Sequence, residues 1–262
     1  MFKKWGLLSS LALSAFVLSA CGESNATNNG GNEAEGTDEK KVLEMATSAD
    51  FPPFESRDTA GNFEGFDIDL ANYIADELGY ELKIQDMKFD GLIGALQTDR
   101  IDMVLSGMSA TDDRKQNVDF STEYNHSGEM FITLKDSEIK TLEDLKNKKV
   151  GVQLGTIQED GANKIKKETV DFELKAVDNS NVLIQELLSK RIDVAYMDKA
   201  VAQGYIEEQN LAGFDDPTTS SPGMAVAFPK GSELTEKVNA VLKKAEENGK
   251  LQELKDKWLK EE

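Results

Sequence analysis

The sequence predicts an α/β protein built as two comparable lobes, and three observations carry that reading. First, strand-like and helix-like patterns alternate along most of the chain, the order expected of helices packed on a mainly parallel sheet. Second, Leu96-Gln97-Thr98-Asp99-Arg100-Ile101-Asp102-Met103-Val104 is echoed by Leu187-Leu188-Ser189-Lys190-Arg191-Ile192-Asp193-Val194-Ala195, with Leu, Arg, Ile and Asp recurring in register. Each copy reads as a helix end, a tight turn and a short buried strand, so the two halves share a unit. Third, of 262 residues only the N-terminal stretch looks non-globular, leaving enough chain for one large or two modest domains.

Val42 to Thr47 (VLEMAT) alternates weakly and opens the fold as a strand. It enters the loop Ser48 to Glu55, where Pro52 and Pro53 forbid regular structure and Phe51 and Phe54 sit beside them. Ile68, Ala71, Ile74, Ala75 and Leu78 recur at helical spacing, with Gly79 placed to end that helix. Tyr80 to Gln85 reads as a strand, Phe89 to Gln97 as a helix, and Met103 to Leu105 as a buried strand. A second lobe begins to show itself at Thr141-Leu142-Glu143-Asp144-Leu145, where Thr141 is expected to cap a short helix. Strand Lys149 to Leu154 follows, then Gly155-Thr156 at the start of a helix containing Ile157 to Ile165. Ser232 is the expected N-cap of a helix over Glu233 to Glu247, ended by Gly249, and a last helix carries Leu251, Leu254, Trp258 and Leu259.

The N-terminus is a leader. Lys3 and Lys4 precede an apolar stretch from Trp5 to Leu18, too short and too rich in Ser and Ala for a membrane span, and the run Leu18-Ser19-Ala20-Cys21 resembles a bacterial lipobox. Residues 1–20 are thus read as a signal peptide and Cys21, the only cysteine, as the lipidation site of the mature N-terminus. Residues 21–41 contain no large apolar side chain apart from the anchor cysteine and read as a lipid-anchored flexible linker. With 49 acidic against 30 basic residues and a net charge of −19, a nucleic-acid partner is not expected, and contact with the membrane is expected through the N-terminal lipid only.

No catalytic constellation stands out. The only histidine is His126 and the folded part has no cysteine, which argues against a His-based triad, a Cys nucleophile and a multi-His metal site. Gly-x-Ser-x-Gly and phosphate-loop motifs are missing. No cofactor, no metal and no enzyme activity are expected. What the residues do suit is holding a zwitterion. Ser106-Gly107-Met108-Ser109-Ala110-Thr111-Asp112-Asp113-Arg114 puts hydroxyls and backbone N–H groups at a strand end, with an arginine that can fork onto a carboxylate. The local sequence alone favours the plainer reading of Thr111 as a helix cap and Arg114 as a surface ion pair. Asp198 lies just past the strand Val194 to Met197 and can accept an ammonium, its expected partner being the ligand rather than another residue of the protein.

SADFPPFE, GFDIDLA, FDGLIGALQTDRIDMVLSGMSATDDR, FSTEY, KKVGVQLGTIQE, RIDVAYMD and AFPKGSEL fall in the order seen in the polar amino acid-binding proteins of ABC importers, solute-binding protein family 3. The resemblance runs from about Val42 to Trp258. It implies a two-lobed periplasmic-binding-protein-like fold of type II, with two crossing hinge segments near His126 and Ser127 and near Gly223 to Val226. Residues 42–126 and 225–262 would then form lobe 1 and residues 127–224 lobe 2. Carried over by position, Arg114 matches the residue that binds the ligand α-carboxylate, helped by Ser109, the Gly107 region and Thr156, and Asp198 matches the acceptor of the α-ammonium. Phe51 and Phe89 match two aromatic walls against the ligand side chain.

Ser48 is a departure, since many relatives that bind basic amino acids or glutamine carry aspartate there; Gln153 and Gln158 put amides near the same region, and Asp50 and Glu55 add acidic groups to the loop. The combination of TSADFPPFE with GVQLGTIQE is most similar to the arginine-binding branch from Gram-positive bacteria. The resemblance implies a monomeric, extracytoplasmic lipoprotein receptor that delivers arginine or another basic amino acid to an ABC permease. Glutamine is the second candidate ligand, and an amino-acid sensor or an enzyme on the same fold are the alternatives from other classes.

Overall fold

The structure, a computed structural model, describes residues 41–218 and 221–259. The residues read as a signal peptide, Cys21 and all but the last residue of the expected linker lie outside the described residues. Among the described residues no helix is long and apolar enough to cross a membrane.

The first sheet grows from β1 (Val42–Thr47), whose inward side chains Leu43 and Met45 are fully buried. The proline loop follows and is closed as a tight turn by Phe51 N donating to Glu55 O at 2.8 Å. A short hairpin of β2 (Ser56–Arg57) and β3 (Phe63–Glu64) leads to α1 (Phe66–Leu78), which buries Ile68, Ala71, Ile74 and Ala75 and ends at Gly79 in the left-handed region, φ 74°. Then come β4 (Glu81–Asp86), a one-turn 3-10 segment (Phe89–Gly91) running into α2 (Leu92–Gln97), β5 (Met103–Val104), α3 (Asp112–Asn117) and β6 (Asp119–Asn125). The helix expected over Phe89 to Gln97 is thus split, with its first turn wound more tightly.

The second sheet opens with β7 (Glu129–Leu134), followed by β8 (Lys149–Gln153), α4 (Ile157–Glu168), β9 (Glu173–Val177), α5 (Ser180–Leu188), β10 (Val194–Asp198), α6 (Lys199–Gln209) and β11 (Leu211–Asp215). The chain then returns as β12 (Met224–Phe228) and closes with α7 (Leu234–Glu247) and α8 (Lys250–Trp258). Strand order is β4-β1-β5-β12-β6 in the first sheet and β11-β7-β10-β8-β9 in the second. Each sheet therefore has four strands running parallel and one antiparallel strand supplied after a crossing: β12 between β5 and β6, β7 between β10 and β11. The crossings are His126–Gly128 and residues 216–223.

The internal echo proves to be a structural repeat. Asp99 and Lys190 both take positive φ, 51° and 59°, at the same step of the turn. Asp102 N donates to Glu44 O at 2.7 Å while Asp102 Oδ2 accepts from Glu44 N at 2.8 Å. Asp193 repeats the exchange with Lys149, both bonds at 2.8 Å. The recurring aspartate thus pins β5 beside β1 and β10 beside β8, a register that burial alone would leave open to slippage. The recurring Leu and Ile positions are buried in both copies.

Two capping expectations need correction. Thr141 does not accept as a cap: its Oγ1 donates to Asp144 Oδ2 at 3.1 Å, and Asp144 also accepts from the N–H groups of Lys140 and Thr141. The carboxylate wins because it accepts several donors at once, where one hydroxyl cannot. Ser232 does accept from Leu234 N at 3.2 Å, but the helix starts one residue later than expected, at Leu234.

Candidate functional site

The carboxyl ends of β1, β5, β8 and β10 converge on one cavity, the place where open α/β sheets bind ligands. Ser48 lies just past β1, Ser106 and Gly107 past β5, Gln153 ends β8 and Asp198 ends β10. All ten residues singled out in the sequence as ligand contacts line this cavity: Arg114, Asp198, Ser109, Gly107 and Thr156, the rings of Phe51 and Phe89, and Ser48, Gln153 and Gln158. Ile157 and Met224 also line it. Nothing in the local sequence pointed to those two, because an apolar side chain facing a cavity has the same pattern as one facing a core.

Arg114 is 9% exposed, not the surface ion pair that local sequence allowed. Thr111 does cap α3, accepting from Arg114 N at 3.2 Å, and this aims the arginine inward. Its Nη1 donates to Ser109 O at 2.8 Å and its Nη2 to Gly155 O at 3.0 Å, while Phe89 lies under it at 5.3 Å. Burial lowers its pKa to about 10, so it stays a cation at neutral pH. Among the described residues no carboxylate lies within ion-pair distance of it. Asp160 acts on it only from beyond ion-pair distance, and a buried guanidinium without a close ion-pair partner is costly unless something anionic joins it.

Asp198 departs from the expectation that only a ligand would meet it. It is the N-cap of α6: Oδ1 accepts from Ala200 N at 2.9 Å, Val201 N at 3.3 Å and Ser127 Oγ at 3.0 Å. Its cross-strand neighbour is Glu129 on β7. Burial and the charge of Asp198 push the Glu129 carboxyl up to about 9, so it is neutral at physiological pH and pairs with the Gln158 amide. Glu129 was missed in the sequence, since only strand pairing brings it to Asp198.

Two further expected contacts are already engaged. Thr156 caps α4: Oγ1 donates to Gln153 O at 2.7 Å and accepts from Glu159 N at 3.3 Å. Gly107 N donates to Asp67 Oδ2 at 2.7 Å, so Gly107 offers the cavity a surface rather than its N–H. Its φ is 52°, and a Cβ there would meet Phe51 Cε1 at 3.0 Å, which is why this position needs glycine.

Asp50 brings a buried carboxylate to the wall. Oδ1 accepts from Ser48 Oγ at 2.7 Å, and Oδ2 accepts from Ser180 N at 2.5 Å and Gln153 Nε2 at 3.4 Å. Burial raises its pKa, with the bonds from Ser48 and Ser180 working the other way. Asp50 and Arg114 each reach from the first-sheet side to groups of the second, and Lys88 pairs with Asp178 in the same sense.

Two α/β lobes joined by two crossings, with a buried cation and several carboxylates around one cavity, define a type II two-lobed binding protein of the periplasmic kind. Residues 43–261 match the family model of bacterial extracellular solute-binding proteins, family 3, and the chain belongs to that family. The arginine-binding extracellular protein ArtP of Bacillus subtilis (strain 168) is 44% identical over 262 residues, covering 98% of both chains. An ancestral arginine-binding protein solved with arginine superposes with a TM-score of 0.79 at 39% identity, covering 84% of this chain and 98% of that one. An ancestral arginine-binding protein solved with glutamine gives the same TM-score, identity and coverage.

Proposed function

We propose that this chain is the extracytoplasmic receptor of an ABC importer, that it closes on one free amino acid, and that arginine is preferred. The observation that carries the reading is the buried Arg114 guanidinium, which lacks a carboxylate partner and faces a cavity also lined by Asp198 and Asp50. The ligand carboxylate answers Arg114, its ammonium lies toward Asp198, and a cationic side chain runs past Phe51 toward Asp50. Asp50 supplies the carboxylate that Ser48 lacks, two residues on and hydrogen-bonded to it. A planar guanidinium stacks on an aromatic face better than an ammonium or carboxamide does. Residues 42–126 with 225–262, and residues 127–224, are the bodies that open and close about the two crossings.

Protein refolded to remove carried-over ligand should bind arginine above lysine and histidine in isothermal titration. Glutamine should be at least tenfold weaker, a gap of about 1.4 kcal/mol. The amides of Gln153 and Gln158 in the wall favour glutamine as the second reading, and equal affinity for the two would select it.

The receptor is held to the membrane as a monomer by lipid on Cys21, in the manner of a Gram-positive lipoprotein, and hands its ligand to the permease. Cys21→Ala should release the protein from the membrane fraction with arginine affinity unchanged. Retention of the variant on membranes would refute the anchor and leave the binding function untouched.

A further inference from the structure

Glu55 and Asp67 are both fully buried beside the cavity, and neither has an ion-pair partner among the described residues. Glu55 Oε1 accepts from Ser106 Oγ at 2.9 Å, and Asp67 Oδ2 accepts from Gly107 N at 2.7 Å and Tyr124 Oη at 2.8 Å. The remaining oxygens, Glu55 Oε2 and Asp67 Oδ1, receive no donor from the rest of the protein. The two carboxyl groups are held on the adjacent residues Ser106 and Gly107, and the charge of Asp67 acts on Glu55. Two carboxylate oxygens both accept, so they can join only through a proton.

We propose that Glu55 and Asp67 hold a single proton between those two oxygens and act together as positioning residues for the Ser106–Gly107 segment of the cavity wall. The proton belongs to Glu55, because Asp67 accepts two further strong hydrogen bonds and is the better anion. Burial drives the Glu55 carboxyl well above its ordinary value, while Asp67 rises only to about 6. The titratable groups facing the pair are Asp50 on the loop and Tyr124 on β6, and neither can supply a positive charge.

The pair reaches four groups of the wall. Ser106 Oγ, donating to Glu55, also accepts from Ser48 N at 3.0 Å and so ties the end of β1 to the end of β5. Asp67 fixes Gly107 in its positive-φ conformation, and the Phe51 ring lies against that glycine. A second negative charge in this dry cluster would force the carboxylates apart and shift Ser48, Ser106, Gly107 and Phe51 together. Glu55 is raised above its unfolded value, so its contribution to stability is complete below about pH 4.5 and is lost as pH rises toward the folded value.

The test is Glu55→Gln beside Glu55→Ala, in refolded full-length protein without ligand and with arginine as the probe. In the infrared spectrum at pH 7 the wild type should show a protonated carboxylic acid band that the wild-type minus Glu55→Gln difference assigns to Glu55, even though Glu129 is also protonated. The fall in melting temperature between pH 5 and pH 8 should be smaller in Glu55→Gln than in the wild type. Arginine affinity should stay within about threefold in Glu55→Gln, whose amide can donate to Asp67 and accept from Ser106, and drop at least tenfold in Glu55→Ala. No loss of the acid band in Glu55→Gln, or a Glu55→Gln variant that folds yet binds as weakly as Glu55→Ala, would overturn the proposal. The positioning role rests on this cavity being the amino acid site. The infrared and pH arms do not, so a wild type that ignores arginine would sink that reading while the proton assignment is still decided.

Discussion

Arg114→Lys is expected to weaken arginine binding by about 2–5 kcal/mol, at least about thirtyfold in Kd, measured by isothermal titration on refolded protein. The guanidinium is held by two carbonyl oxygens, Ser109 O of its own lobe and Gly155 O of the other, which together set its plane in this arrangement. A lysine ammonium can satisfy one of them but cannot present a fork to a carboxylate at the same time. Gly155 belongs to the loop after β8, so the substitution also removes a contact between the two lobes. The loss should extend to every amino acid tested, because the group contacted is the α-carboxylate they share. Unchanged affinity in Arg114→Lys would remove Arg114 from the site.

The second large effect is at Asp198, where two substitutions separate binding from folding. Asp198→Asn and Asp198→Ala should each weaken arginine binding by about 2 kcal/mol or more, because both remove the charge that faces an ammonium. They should differ in stability. Asparagine is as good an N-cap as aspartate, so Asp198→Asn keeps the bonds from Ala200 N and Val201 N and should melt close to the wild type. Alanine loses the cap of α6 and strands Ser127 Oγ, which should cost about 1 kcal/mol, or about 2–4 °C in melting temperature without ligand. With the Asp198 charge removed, the Glu129 carboxyl should titrate below its wild-type value of about 9. Equal melting of the two variants would show that the cap contributes nothing, and unchanged affinity in both would place the ammonium elsewhere.

Much of the fold was legible because its signals are local. Gly79 ends α1, Thr111 and Thr156 cap their helices, and the Arg-Ile-Asp repeat marks both strand starts, each readable within a few residues. The exchange of β7 and β12 between sheets was not legible from residue patterns, since a buried strand has the same pattern whichever neighbour it pairs with. The Thr141 error has a local cause as well: where a hydroxyl and a carboxylate compete for the same donors, spacing does not say which one accepts.

By itself the sequence determined much of the element order, the acidic character, and which residues gather around the strand ends, since all ten expected contacts line one cavity. Only the tertiary structure decided which of their polar groups are already engaged. Gly107 N meets Asp67 from 40 residues away, Ser106 meets Glu55 from 51, and Asp198 meets Ser127 from 71. It also decided that the Asp50 carboxylate is buried in the wall and bonded to Ser48, and that Glu129 sits neutral beside Asp198. The physical reason is that hydrogen-bond saturation and burial belong to neighbours in space, and a residue's type fixes what it can offer but not what remains of that offer once the chain has folded.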